Sequence, residues 1–246
     1  MSLRLSTLLA AFFVASVTLS AAELTVAAAA DLSPVEAELA SSFRNSNPGI
    51  QIRWVTSASA ILTQQIENGA PYDVFLSANA QFIDQLAAAR KIEPSSVVWY
   101  ATGRIGLLWR DGKHHDPKEL GSNWVRTIAL PNPKLAPYGV AAEQAIRHLG
   151  IWDFVRQKIV YGENVRQTLQ LFESGNADAV LTSASLLAGR PAEVLPADWH
   201  SPIAQKAGVV VGSANHDAAE QFVRYLLSPA AQAVFARHGF AAGAKP

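Results

Sequence analysis

Short apolar runs alternate along the chain with stretches in which apolar residues recur every three or four positions. Leu24 to Ala30 is a continuous apolar run after a charged residue, which is typical of a buried strand. Ser33-Pro34-Val35-Glu36 then has the S-x-x-E form of a capping box, and Val35, Leu39 and Phe43 fall on one helical face. The first part of the chain therefore predicts a β-α-β-α-β-α order, whose later elements are Ile50 to Val55, Ile61 to Asn68, Tyr72 to Ser77 and an Ala-rich helix ending at Ala89.

The pattern changes near residues 97–109, where two extended runs follow one another around Thr102-Gly103 without a helix between them. Two strands in series indicate a crossing from one lobe to another. The order of strands and helices then resumes with strands at 127–130, 158–161, 177–182 and 207–211 and helices at 139–149, 165–174, 217–227 and 229–238.

Alternating strands and helices favour an α/β fold. We predict two similar lobes, each with a doubly wound and mostly parallel sheet, and a ligand in the cleft between them. Residues 23–101 and 206–246 form lobe I, and residues 102–205 form lobe II. A single continuous doubly wound domain is the alternative.

The N-terminus is typical of a secretory signal. Arg4 precedes the apolar stretch from Leu5 to Leu19, and Ser20-Ala21-Ala22 supplies small residues before a cut ahead of Glu23. Residues 1–22 are thus predicted to be a signal peptide that is removed during export to the periplasm. A retained anchor is the alternative, although the stretch is short for a membrane span.

Composition removes several classes of function. The 246 residues carry 20 Lys and Arg and 20 Asp and Glu, so the formal net charge is zero and no basic run is present. We therefore expect no binding to nucleic acid, which needs clustered cations. Cysteine is absent, which excludes disulfides, thiol nucleophiles and thiolate metal sites.

Small polar residues occupy the predicted strand-to-helix junctions, where ligands bind in open α/β sheets. Lys and Arg are nearly missing from these loops, and Arg166 is the nearest one. Helix capping explains Ser or Thr at any single junction, but five together favour an anion site built from neutral donors. The junctions are Ala30-Asp31-Leu32-Ser33, Thr56-Ser57-Ala58-Ser59-Ala60, Ala136-Pro137-Tyr138-Gly139, Gly162-Glu163-Asn164-Val165 and Thr182-Ser183-Ala184-Ser185.

Signatures of enzymes are missing from the sequence. It contains no G-x-S-x-G elbow, no phosphate-binding G-x-x-x-x-G-K-[ST] loop and no G-x-G-x-x-G after a strand. The only histidine cluster, His114-His115-Asp116, lies beside Pro117 in a predicted solvated turn and is a poor metal site. We expect a protein that is not an enzyme and has no cofactor or metal cation.

The junction motifs resemble those of the periplasmic molybdate-binding proteins that feed ABC importers, and the resemblance covers nearly the whole chain after residue 22. The fairly specific parts are the S-x-x-L-x-x-Q-I-x-x-G-A-P-x-D-V-F stretch beginning at Ser59 and the N-P-x-x-A-P-Y-G stretch ending at Gly139. Further matching segments are TVAAAADLSP, ENVRQTLQLFESGNADAVL and SPAAQAVFARHGF. The resemblance implies a type II periplasmic binding protein whose lobes close on a tetrahedral oxyanion.

The resemblance also implies site residues. Ser59 matches a hydroxyl donor, Tyr138 matches a tyrosine that one branch of the family uses, and Val165 matches a backbone N–H at a helix start. Thr182 stands where another branch has a tyrosine nearby, and Ala30-Asp31 stands where the family usually has Ser or Thr, or Thr-Asn.

Asp31 is a departure that bears on the identity of the anion. An ionised carboxylate ~4 Å from a dianion at an effective dielectric constant of ~20 is repelled by roughly 8 kcal/mol. Asp31 must therefore point away, be protonated, or accept a proton from a protonated oxyanion. We expect the carboxylate to point out of the pocket, with its backbone N–H directed inward and molybdate affinity independent of pH.

The resemblance implies capture of molybdate, with tungstate as a close competitor, and delivery to an inner-membrane ABC permease. We expect a monomer that holds molybdenum only as the oxyanion. One alternative is a binding protein for a protonated oxyanion or a small organic acid recognised by Asp31. Another is an exported serine hydrolase that uses Ser57 or Ser59.

Overall fold

The computed structural model describes residues 22–243, which form two β-sheets flanked by helices. The predicted signal segment lies outside the described residues except for Ala22, which begins the first strand. The strands are β1 Ala22–Ala29, β2 Ile50–Ser57, β3 Val74–Ser77, β4 Val98–Gly103, β5 Ile105–Trp109, β6 Ile128–Pro131, β7 Ile159–Gly162, β8 Ala179–Ser183, β9 Glu193–Val194, β10 Ile203–Val209 and β11 Ala241–Ala242. The helices are α1 Glu36–Ser46, α2 Ser59–Glu67, α3 Ala80–Ala88, α4 Pro137–His148, α5 Trp152–Val155, α6 Val165–Glu173, α7 His216–Leu226 and α8 Pro229–Arg237.

Both sheets share one plan. The six-stranded sheet has the order β2-β1-β3-β10-β4-β11, and the five-stranded sheet has the order β7-β6-β8-β5-β9. In each, three parallel strands (β2-β1-β3 and β7-β6-β8) are followed by an antiparallel neighbour, β10 or β5. We name the six-stranded sheet with α1–α3, α7 and α8 the first unit, and the five-stranded sheet with α4–α6 the second unit.

The chain passes between the units at Arg104, because β4 ends at Gly103 and β5 begins at Ile105. It returns through β10, which pairs with β3 and β4 of the first unit. The α/β class is confirmed, and the two separate sheets rule out a single continuous sheet over residues 22–243.

Fewer strand pairs are parallel than the sequence predicted for the two sheets. Four strand pairings are parallel and five are antiparallel within the described residues. The difference comes from the strands near the crossing, because a chain that enters and leaves a sheet without a crossover helix places β4, β5 and β10 antiparallel to their neighbours. The short strands β9 and β11 had no visible sequence pattern.

Apolar side chains fill both faces of each sheet. On one face of the first unit, Val35, Leu39 and Phe43 of the predicted helical stripe are fully buried with residues of α7 and α8, and the rings of Phe43 and Phe222 meet edge to face at 5.2 Å. Helices α2 and α3 cover the opposite face. In the second unit, α4 packs on one face of the sheet and α6 on the other.

The capping box predicted at Ser33 does not form. A 3₁₀ turn at Ala30–Leu32 follows β1, and the Ser33 hydroxyl donates to the Ala30 carbonyl at 2.7 Å. Helix α1 begins at Glu36, after Val35. The chain therefore turns twice before the helix starts, and the first turn places Asp31 inside the protein.

Candidate functional site

A small cavity lies where the carboxyl ends of the parallel strands in the two units face each other. None of its lining residues is Lys, Arg or His, so the described part of the chain provides no cationic side chain there. Three helices of nine or more residues, α2, α4 and α6, begin at this cavity, and each N-terminus carries a partial positive charge. The lining residues are Ala29, Ala30, Asp31, Ala58, Ser59, Ala78, Ala136, Pro137, Tyr138, Asn164 and Val165.

Ser59 is the first residue of α2 and is buried. Its Oγ accepts a hydrogen bond from the Ala78 backbone N–H at 3.1 Å, and its carbonyl accepts one from the Thr63 hydroxyl. These contacts fix the side chain, while the hydroxyl hydrogen has no protein acceptor among the described residues. Ser59 can therefore donate to a ligand in the cavity.

Val165 is the first residue of α6, and Asn164 caps that helix by accepting from the Gln167 N–H. The N–H groups of a first helical turn have no partner within the helix, so the buried N–H of Val165 is free for an anion. Thr182 is not among the lining residues. Its hydroxyl donates to the Val165 carbonyl at 3.0 Å, which makes it a positioning residue for the start of α6.

Asp31 stays inside the protein, and its carboxylate is held by partners from both units. The residue is fully buried, and its Oδ2 accepts from the Tyr138 hydroxyl at 2.8 Å and from Gln205 Nε2 at 2.7 Å. The Ser185 hydroxyl donates to the Asp31 carbonyl at 2.6 Å. The turn is packed against the second unit and β10, so the carboxylate has no route to solvent.

Tyr138 lines the cavity, but its hydroxyl proton is already used. A hydroxyl has one hydrogen to donate, and that of Tyr138 goes to Asp31 in this structure. A Cβ on Gly103 would lie 2.2 Å from the Tyr138 oxygen, so only glycine allows the ring to reach this place. Tyr138 therefore joins the second unit to the first through Asp31.

Burial has the largest effect on the pKa values of Asp31 and Tyr138. Desolvation raises the pKa of Asp31 to about 6, against hydrogen bonds from Tyr138, from Gln205 and from its own backbone that lower it. Burial, and then the charge of Asp31, hold the pKa of Tyr138 well above its usual range. Asp31 is thus poised to change charge near neutral pH.

The sequence reasoning missed three residues around Asp31, namely Gln205 and Ser185, which bond to it, and Tyr100, which bonds to Gln205. Gln205 lies on β10, which begins four residues earlier than the predicted strand, and its Oε1 accepts from the Tyr100 hydroxyl at 3.1 Å. Ser185 was within a quoted junction but was not selected. The only available signal for Gln205 was a polar side chain close to the predicted strand.

The hydrolase alternative lacks a base in position, because neither Ser59 nor Ser57 is hydrogen-bonded to a His, Asp or Glu side chain within residues 22–243. Ser59 Oγ contacts a backbone amide instead of an imidazole, and Ser57 is not among the lining residues. A nucleophilic serine needs a general base within hydrogen-bond reach. The arrangement can hold an anion, but it cannot activate either serine.

The chain resembles known proteins over nearly its full described length. Residues 24–241 match the model of the bacterial extracellular solute-binding protein family. The molybdate-binding protein ModA of Azotobacter vinelandii is 31% identical over 229 residues, covering 89% of this chain and 90% of the relative. That of Rhodobacter capsulatus is 28% identical, covering 90% and 89%.

The fold is also similar to that of a solved relative. The structure of the periplasmic molybdate-binding protein of Azotobacter vinelandii superposes with a TM-score of 0.84 at 30% identity, covering 91% of this chain and 99% of that one. The matching family and relatives are solute-binding proteins and not enzymes, which confirms the expectation of a non-enzymatic protein.

Proposed function

Because this chain belongs to the family of bacterial extracellular solute-binding proteins, we propose that it captures molybdate outside the cytoplasm and delivers it to an ABC transporter. The observation that carries the proposal is the convergence of Ser59 and the N-termini of α2, α4 and α6 on one cavity without a cationic side chain. Neutral donors of this kind suit a tetrahedral oxyanion, since each ligand oxygen can accept from a hydroxyl or a backbone N–H.

The proposed mechanism is capture by closure. We place Ala30, Asp31 and Ser59 in the lobe built on the six-stranded sheet, and Tyr138 and Val165 in the lobe built on the five-stranded sheet. Contacts between the two sides already exist around the cavity, including Tyr138 to Asp31 and Ala60 N–H to the Leu135 carbonyl at 3.3 Å. Because hydrogen-bond donors on both lobes contact the same ligand, the ligand binds fully only when the lobes close.

Neutral donors also suit release to a permease. Hydrogen bonds to a charged ligand contribute roughly 1.5–3 kcal/mol each, and they can break one after another as the lobes part. A cation in direct contact with the dianion would hold it more strongly and slow its transfer.

Further parts of the proposal concern the context in the cell. We propose export through cleavage of residues 1–22, a periplasmic monomer, tungstate as a second ligand and no role in nucleic-acid binding. Among residues 22–243, no helix combines the length and the apolar character that crossing a bilayer requires. The zero formal charge supports the absence of nucleic-acid binding.

Ligand-linked stability tests the proposal. Molybdate at about 1,000 times its dissociation constant should stabilise the fold by roughly 4 kcal/mol, because a ligand that binds only the folded state adds RT ln(1 + [L]/Kd). Thermal unfolding should be measured with molybdate, with tungstate and with chloride at matched ionic strength. Melting that millimolar molybdate and tungstate leave unchanged would contradict the assignment.

A further inference from the structure

The two carboxylate oxygens of Asp31 are treated unequally by their surroundings. Oδ2 accepts from both Tyr138 and Gln205, whereas Oδ1 is buried and accepts no hydrogen bond from any other residue within 22–243. A buried polar atom without a partner is costly and calls for a functional explanation. Asp31 lines the cavity, and Oδ1 is the oxygen of its carboxylate that no other residue has engaged.

The elements packed against Asp31 provide no counter-charge. The titratable groups that face it are the hydroxyls of Tyr138 on α4 and Tyr100 on β4, both with pKa values raised well above the usual range. Arg166 at the start of α6 acts on Glu36 of α1, and no cation of the described chain contributes to the pKa of Asp31. Gln205 and Ser185 are neutral.

An oxyanion can only accept hydrogen bonds when it is fully deprotonated, and an ionised carboxylate can only accept as well. The two cannot share a cavity without a hydrogen between them. Because Oδ2 already receives two donated hydrogens, Oδ1 is the oxygen that can carry one. The neutral acid would then donate to the ligand as a side-chain amide would.

We propose that Asp31 binds the oxyanion as the neutral carboxylic acid, with its proton on Oδ1, so that capture of each molybdate takes up one proton from solution. This inference rests on the proposed function and identifies Asp31 as a residue that couples that function to pH. The balance is simple: carboxylate, proton and dianion combine into a hydrogen-bonded complex, and no covalent bond other than the O–H bond of Asp31 is formed.

Proton coupling sets the direction of the pH effect. The free protein carries a protonated Asp31 only below its pKa of about 6, so molybdate affinity should fall as pH rises above that value. Between pH 6 and pH 8 the dissociation constant should rise about fiftyfold, because the fraction of protonated Asp31 falls by that factor. Below pH 6 the dependence should level off.

Calorimetric titration with sodium molybdate tests this over pH 6 to 8.5. At pH 8, titrations in two buffers of different ionisation enthalpy should show the uptake of close to one proton for each molybdate bound. Asp31→Asn keeps the acceptor for Tyr138 and Gln205 and offers an N–H in place of the acid. It should bind independently of pH, and at pH 8 it should bind up to about a hundredfold more tightly than the unaltered protein.

The outcomes separate this inference from the proposed function. A constant affinity of the unaltered protein from pH 6 to 8.5, without proton uptake, would overturn the inference and leave molybdate binding intact. Loss of binding in a folded Asp31→Asn would also overturn it. Absence of molybdate and tungstate binding at every pH would overturn both. Ser59→Ala is the control, since it should weaken binding by the same factor at each pH and retain the slope.

Discussion

Two neighbouring turns of the first unit contribute to the cavity in opposite ways. The turn after β1 carries Asp31, and the turn after β2 carries Ser59; the register of the parallel pair places Ala29 beside Ser57, so the turns lie side by side. Ser59 is held by one backbone amide and has a hydrogen to donate. Asp31 is held by two donors and has an unpaired acceptor.

The difference shows that position and chemistry are set by separate parts of the chain. Strand register places both residues at the cavity whatever their side chains are. The chemical state of Asp31 depends on partners 107 and 174 residues away, because Tyr138 and Gln205 hold its carboxylate in a buried place. A serine at position 31 would carry no charge to bury, so it would not require hydrogen bonds from Tyr138 and Gln205.

The largest expected effect concerns the stability of the ligand-free protein. Asp31 has a folded-state pKa of about 6 against a model value of 3.8, so the folded state binds more protons between these values and loses stability as pH rises through them. The full effect is about 3 kcal/mol. In urea unfolding, the free energy of unfolding of Asp31→Asn minus that of the unaltered protein should therefore increase by about 2.4 kcal/mol from pH 4 to pH 7.5, because the unfolded carboxyl is already partly ionised at pH 4.

The exposed carboxylate of Asp84, paired with Lys206, provides the control. Exposed ion pairs contribute little to stability, so Asp84→Asn should show a small difference at both pH values. If the unfolding free energies of Asp31→Asn and Asp84→Asn change with pH by the same amount, the ionised carboxylate of Asp31 does not destabilise the folded protein.

The second effect concerns the turn that donates. Ser59→Ala removes a hydrogen bond to a charged ligand and should weaken molybdate binding by roughly 1.5–3 kcal/mol, about ten- to a hundredfold. Thr63→Val, in the same helix, removes a buried hydroxyl bonded to the Ser59 carbonyl and does not touch the cavity. It should lower stability and leave affinity unchanged. Equal affinity of Ser59→Ala and the unaltered protein would return Ser59 to a purely structural role.

A smaller effect is expected at Thr182, which supports the start of α6 through the Val165 carbonyl. Thr182→Val should cost about 1 kcal/mol of stability, as for a typical internal hydrogen bond, while calorimetry shows affinity within a few-fold. A loss of affinity as large as that of Ser59→Ala would place Thr182 in contact with the ligand.

The smallest effect on affinity is expected at Tyr138. Its hydrogen bond lowers the pKa of Asp31, so Tyr138→Phe should raise that pKa and move the midpoint of the pH dependence upward. At pH 6 the molybdate affinity should stay within a few-fold of the unaltered protein. A loss of tenfold or more at every pH would instead support direct donation from Tyr138 to the anion, as the family resemblance implied.

Much of this architecture could be predicted from the sequence, because strands and helices follow local patterns. The apolar runs and the Val35, Leu39 and Phe43 stripe lie where periodicity placed them. The antiparallel pairing near the crossing could not be read in this way, since it depends on how β4, β5 and β10 meet across long separations.

The same limit applies to the site. That Ser59 and Val165 lie at strand-to-helix junctions was predictable, and the family resemblance singled them out there. The state of Asp31 was not, because it depends on Gln205, on Ser185 and on the space that Gly103 leaves for Tyr138. No local pattern encodes such a cluster.

Elemental mass spectrometry of the protein, purified without refolding from cells that export it, tests the central claim most directly. The account predicts that molybdenum, or tungsten where it is supplied, accompanies the protein through gel filtration in stoichiometric amount, and that much less remains on Ser59→Ala. A protein that carries neither element after growth with both, and whose melting neither oxyanion shifts, would contradict the account.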